Sequence, residues 1–204
     1  MCGGGPKENV KLLAAALRGD TLTVNDLIRE GNVDVNAADS DGETALMWAA
    51  REGHTETATA LLAVAGVDVN AANNNGMTAL MWAAVRGHTE MATALLAVAG
   101  VDVNAANNNG WTALMWAAQG GPMEIVTALL AVAGIDVNAA NIVGGTALMY
   151  AAENGYTEMV EALMAVGHID ANARNEHGWT ALMMAAGSPG AEEATGFLAR
   201  ANGV

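Results

Sequence analysis

His54 and His88 stand thirty-four residues apart in identical surroundings, each preceded by Gly and followed by Thr-Glu. A recurring imidazole could hold a metal or act as a general base. Asp34, Asp68, Asp102, Asp136 and Asp170 recur at the same interval and form a ladder of carboxylates. Paired carboxylates do acid–base work only when close, at about 5 Å in retaining glycosidases. Packed helices stand about 8–10 Å apart, so neither set brings its members to a shared proton or ion. Pro122, Tyr156 and Gly190 replace the histidine later in the chain, which breaks that ladder. His168 and His177 have no partner visible in the sequence. Glycines are frequent, but no Gly-Lys-Ser/Thr phosphate loop and no Gly-x-Ser-x-Gly elbow accompanies them. No catalytic residue, metal ligand or cofactor site is expected, and the chain does not read as an enzyme.

Composition narrows the class further. The formal net charge is -14, and the eight Lys and Arg residues are scattered. Nucleic-acid binding needs basic clusters that displace counterions, so nucleic acid and anionic membranes are not expected partners. A hydrophobic content of 52% with only 4% aromatic residues predicts a core of Ala, Leu, Val and Met between closely packed helices. Cys2 is the single cysteine, which excludes an intrachain disulfide. Acylation of Cys2 would need a second anchoring signal, and none follows. No apolar run reaches a membrane-spanning length, and no secretory leader is visible. An intracellular protein, cytoplasmic or nuclear, is the expectation.

The elements that position these residues follow from the interval. Thr44, Thr78, Thr112, Thr146 and Thr180 repeat every thirty-four residues, as do Asn36, Asn70, Asn104, Asn138 and Asn172. Units fall at 8–41, 42–75, 76–109, 110–143, 144–177 and 178–204, after a flexible N-terminus at 1–7. In the second unit Thr44 caps a helix, with Leu46, Ala49 and Ala50 on its buried face and Gly53 as its stop. A second helix starts at Thr55. Its buried stripe is Ala58, Leu61, Leu62 and Ala65, with Gly66 as a left-handed C-cap. "VDVN" reads as extended and "NNG" as a hairpin turn. Such short helices are unstable alone, so units must stack into one elongated all-α solenoid with short hairpins. The first and last units carry extra charge, as end units of such a stack should.

The pattern Gly-x-Thr-Ala-Leu-Met-Trp-Ala-Ala, then Gly-His-Thr-Glu, Ala-Leu-Leu and Val-Asp-Val-Asn-Ala resembles the ankyrin repeat, from about Lys7 to Val204. Two departures are consistent. Pro-Leu-His of the family is Ala-Leu-Met here, at Met47, Met81, Met115, Met149 and Met183, and one extra residue sits near "AVAG". The resemblance implies that Gly-His is a structural turn. It also implies that Asn70, Asn104 and Asn138 match a motif hydroxylated in some family members. Function by resemblance is non-catalytic protein binding across a concave groove and the hairpin tips.

Variation between units points to the same surface. Units two and three differ only at Glu43/Met77, Arg51/Val85, Glu52/Arg86 and Thr57/Met91. Three of the four are groove registers by resemblance. Unit four changes them again, to Trp111, Gln119 and Gly120, and its tip becomes Ile142 and Val143. Trp48, Trp82, Trp116 and Tyr150 share one register, which shares a helix face with 51 and 52. Trp179 occupies the register of Glu43. The expected contact residues are therefore Glu43, Trp48, Arg51, Glu52, Met77, Trp82, Val85, Arg86, Trp111, Trp116, Gln119, Ile142, Val143, Tyr150 and Trp179. The partner is another protein, with a basic end and an apolar end, and the chain itself a monomer. The alternative is a self-associating structural protein that packs through its Ala/Thr-rich second-helix face.

Overall fold

The computed structural model describes residues 5–201; residues 1–4, Cys2 among them, and 202–204 lie outside the described residues. Twelve helices are described, two per unit. The first-helix row is α1 (Pro6–Arg18), α3 (Ala45–Glu52), α5 (Ala79–Arg86), α7 (Ala113–Gly120), α9 (Ala147–Glu153) and α11 (Ala181–Gly187). The second-helix row is α2 (Thr21–Glu30), α4 (Thr55–Leu62), α6 (Thr89–Leu96), α8 (Met123–Leu130), α10 (Thr157–Met164) and α12 (Glu192–Ala201). Each helix packs on its unit partner and on the same row's neighbours before and after it. α1 begins at Pro6, ahead of the unit start expected at residue 8, with Pro where its missing N–H costs nothing.

Local chemistry sets each element. The Thr44 hydroxyl accepts the Met47 N–H at 3.3 Å, and Thr78, Thr112, Thr146 and Thr180 cap their helices in the same way. The thioether also stands in for a capping side chain in unit two, where the Thr44 N–H donates to Met47 Sδ at 3.5 Å. Gly53 closes α3 with φ +76, a left-handed conformation that favours glycine. A side chain there would also strike the His88 ring, 2.7 Å from the position of an added Cβ. The Ala49–Ala50 pair and its equivalents in units three to five are fully buried, which lets neighbouring first helices approach closely.

Three expectations are corrected. The second helices stop at Leu62 and its equivalents, and their C-caps are Ala63, Ala97, Ala131 and Ala165 in the right-handed region. Gly66 does have φ +86, but it lies beyond the cap, in a turn held by Val64 N–H to Leu61 O and Val67 N–H to Val64 O. Ala65 is consequently exposed and Leu62 half-buried. "VDVN" is a turn, not a strand: Asp68 Oδ1 accepts the Asn70 N–H at 3.0 Å. β structure among the described residues consists of isolated bridges such as Ala72 to Thr78. Between them Gly76 N–H donates to Asn73 O at 2.8 Å. Among the described residues only glycines have positive φ. The primed Asn-Gly turn is therefore absent, and Asn74–Asn75 form an ordinary turn completed by Gly76 at φ +77.

Polar side chains tie the units together. Asn70 Nδ2 donates to Gly100 O at 2.8 Å while its Oδ1 accepts the Asp102 N–H at 2.8 Å, so one amide clamps the next unit at two points. Asn36, Asn104 and Asn138 repeat the clamp. Backbone bonds join the hairpin tips as well, from Asn74 N–H to Asp41 O, Asn108 to Asn75, Ile142 to Asn109 and Glu176 to Val143. Among the described residues no helix is long and apolar enough to cross a membrane.

Candidate functional site

The flank of the first-helix row that faces the hairpins carries the aromatic register. Trp48, Trp82, Trp116 and Tyr150 are each half-buried there. What fills the space between successive rings differs from unit to unit. Between Trp48 and Trp82 lies the guanidinium of Arg51, 5.0 Å from one ring and 4.8 Å from the other. A cation over an indole contributes about 0.5–1 kcal/mol when exposed and more when desolvated. Between Trp116 and Tyr150 lies the ring of Trp111, with centroids 4.3 and 4.4 Å away. Tyr150 in turn leans over Gly145, where any Cβ would collide with its hydroxyl. Its Oη accepts from Asn141 Nδ2 at 2.6 Å, and burial pushes its ionisation above the usual tyrosine range.

Glu43 and Met77 were expected on the contact surface, but the fold encloses them. Glu43 is 4% exposed and Met77 6%. The two Glu43 oxygens accept from Asn73 Nδ2 at 2.8 Å and from Trp82 Nε1 at 3.2 Å. Burial raises the Glu43 carboxyl above the ordinary carboxylate range, outweighing those two hydrogen bonds. In the next unit Met77 Sδ takes the Asn107 amide at 3.5 Å. Trp116 Nε1, the equivalent of Trp82 Nε1, is buried with no hydrogen-bond partner. A carboxylate at 43 thus serves the following indole, and a thioether at 77 leaves it unserved. Thr57 and Met91, the fourth difference, are buried too. Of the four differences only Glu52/Arg86 is exposed in both units, while Val85 is exposed where Arg51 is half-buried.

The other expected contact residues divide by exposure. Glu52, Val85, Arg86, Gln119, Ile142, Val143 and Trp179 are exposed. Ile142 at the tip is 70% exposed and Trp179 51%. Arg51 is half-buried between its two rings. Asn70 and Asn104 are exposed and Asn138 half-buried, and all three use both ends of the amide in the clamp. A hydroxylase would have to open those bonds to reach them.

His54 and His88 tie neighbouring units together. His54 Nε2 lies 3.2 Å from Leu17 O and His88 Nε2 3.1 Å from Arg51 O, each reaching back to the end of the preceding first helix. Among the described residues no three His, Cys, Asp or Glu side chains cluster to hold a metal. Sequence reasoning missed one recurrent set. Asp39, Asn73, Asn107, Asn141 and Asn175 accept two backbone N–H groups within each hairpin, as Asn73 Oδ1 does from Asn75 and Met77, both at 2.9 Å. Their Asp/Asn identity at a fixed interval is a readable signal for such turns.

No curated protein matches the chain. A family model described as ankyrin repeats matches three times, over residues 12–107, 61–141 and 140–204. Together with the stacked helix pairs and single-bridge hairpins, these matches cover nearly the whole described structure, and the chain belongs to the ankyrin repeat family, whose members are generally protein-interaction modules.

Proposed function

We propose that the chain is a non-catalytic interaction module that holds another protein along the first-helix flank and the hairpin tips. One observation carries this reading. The exposed residues Val85 and Gln119 of one register and Glu52, Arg86 and Gly120 of the next change from unit to unit, beside a row of rings held by stacking and hydrogen bonds. Rigid aromatic surface next to adaptable side chains is the composition of an interface hot spot. Ile142, Val143 and Trp179 add an apolar end, and Asp41 with Glu52 an acidic one. His54, His88 and the aspartate ladder are engaged with backbone groups, which supports the non-catalytic reading. An intracellular location belongs to the same proposal, supported by the lone cysteine.

Self-association through the second-helix face has less support. The second helices carry Glu56, Glu90, Glu124 and Glu158, at least one exposed carboxylate in each inner unit, so two copies would oppose like charges. The deciding measurement is calorimetric affinity for a partner identified by cross-linking. Val85→Glu with Arg86→Glu should weaken binding about tenfold or more, equivalent to about 1.4 kcal/mol. Glu56→Lys on the outer face should change nothing. The reverse ordering would remove the groove from consideration.

A further inference from the structure

The aromatic row ends abruptly at its N-terminal side. Ala14 occupies the register that holds Trp48, Trp82 and Trp116 in the following units, and Leu17 the register of Arg51. Where a ring and a guanidinium would stand, the structure has a cavity of about 640 Å³. Pockets that hold ligands fall in the range of about 300–1,000 Å³. Its walls are Val10, Leu13, Ala14 and Leu17 of α1, Ala38 of the first hairpin, and Trp48. Arg51 lies on the Trp82 side of the Trp48 ring, so the opposite ring face is left to the cavity. Val10 is 64% exposed and Leu17 40%, which leaves apolar surface at the mouth. The hairpin rim is polar, with Asp39 and Ser40 on the wall and the exposed Asp41 beside them. Lys7 and Lys11 are on the same helix but outside the lining.

We propose that this pocket seats one aromatic side chain of a partner polypeptide, with a lysine or arginine next to it on the hairpin side. The solenoid itself shows the fit: three units place an indole at this register, and the first unit omits it. A ring inserted from a partner would stack on the free face of Trp48 and cover Val10, Leu13 and Leu17. A neighbouring cation would meet the exposed Asp41 carboxylate, beside Asp39, whose oxygens already accept the Asp41 and Glu43 N–H groups and the Trp48 indole N–H; the next two tips, Asn73–Asn75 and Asn107–Asn109, carry no charge. The inference rests on the interaction-module reading and gives it an anchor and a charge.

The test uses the full chain, isotope-labelled, with three peptides: Ac-Trp-Lys-Lys-NH2, Ac-Ala-Lys-Lys-NH2 and Ac-Trp-Glu-Glu-NH2. The first should shift the Trp48 indole N–H and the Val10 and Leu17 methyl resonances. The other two should bind about tenfold more weakly or worse. Ala14→Trp with Leu17→Arg copies the Trp48–Arg51 arrangement into unit one and should abolish the shifts. Val10→Gln, at an exposed position, puts a neutral polar group in the wall and gives the same answer without filling the core or adding charge. The proposal is overturned if the Trp48 resonance stays still at millimolar peptide, if the Ala peptide matches the Trp peptide, or if both variants bind as wild type. Free indole binding as tightly as the peptide would also overturn it, since the pocket would then be a small-molecule site. These outcomes are independent of the Val85/Arg86 result, so pocket and groove fail separately.

Discussion

Glu43→Met asks why a carboxylate is enclosed in unit two when unit three has a thioether at the same register. The change copies the neighbouring unit's own solution, so the backbone is already suited to it. It removes an acceptor 3.2 Å from Trp82 Nε1 and leaves that indole N–H in the position of Trp116 Nε1, which is buried without a partner. An orphaned buried donor costs about 1–3 kcal/mol. Asn73 Nδ2 loses its carboxylate but regains a thioether, as Asn107 has at Met77. Against these losses the variant no longer desolvates a carboxylate that is 4% exposed. The second effect depends on pH, and its sign is fixed. Burial raises the folded-state pKa of Glu43. The folded chain therefore keeps the proton over a window in which the unfolded chain has released it. The Glu43 contribution is fully present below the ordinary carboxylate range and falls as pH rises through the raised value. Each unit of displacement corresponds to about 1.4 kcal/mol. Urea unfolding of wild type and variant across pH 4 to 8 should show the variant destabilised most at the acid end, with the gap narrowing as pH rises. A gap independent of pH, or one that widens, would refute the assignment of burial as the dominant influence on Glu43.

The other expectations concern how units are held together. Asn70→Ala removes two cross-unit hydrogen bonds of 2.8 Å each and should cost about 1–3 kcal/mol in a urea melt. Asn74→Ala, which removes a single exposed cross-unit bond, from Nδ2 to Ser40 O at 2.9 Å, should cost about 0.5 kcal/mol; equal losses would mean the double clamp adds nothing. Gly53→Ala and Gly66→Ala both force a left-handed conformation on alanine, at roughly 1–2 kcal/mol. Only the first also drives a Cβ to 2.7 Å from the His88 ring, whereas Gly66 has open space around it. Thermal midpoints should therefore fall further for Gly53→Ala, and an equal drop would show that His88 moves aside freely.

Much of the scaffold was readable because its causes are local and periodic. A Thr hydroxyl three residues before a Met N–H, or a glycine after eight helical residues, acts within one turn, and the interval of thirty-four repeats the signal. Where the reading failed, the cause lay in the neighbouring unit or in the backbone. The i, i+7 spacing carried the buried stripe of α4 on to Ala65, but the chain turns after Leu62 and the periodicity has no helix to follow. Glu43 and Met77 sit beside a hairpin, where polar exposed residues are the rule, and they are enclosed because the next unit's hairpin and ring close over them. The tip-to-tip ladder from Asp41 to Glu176 is carried by main-chain groups; the Asn74 and Asn108 amides reinforce it, but Ile142 and Glu176 keep the main-chain bond without one, so side-chain identity does not announce it.

That enclosure changes what variation between units means. At the register of Glu43 the residue fills the gap between its own unit's ring and the next one, and each filler comes with a matched neighbour. Glu43 hydrogen-bonds to Trp82. Trp111 stacks on both Trp116 and Tyr150. Gly145 makes room for Tyr150, whose hydroxyl then takes the Asn141 amide. A substitution here is therefore answered inside the stack, and its difference from unit to unit reports packing. The register of Arg51 spans both cases, since Arg51 itself is locked between two rings while Val85 and Gln119 are open. Under the proposed interaction role, specificity for a partner would concentrate where changes have no internal answer: Val85, Arg86 and Gln119 on the helix ends, Ile142 and Val143 at the tip, and the place in unit one where Ala14 leaves the row of rings unfinished.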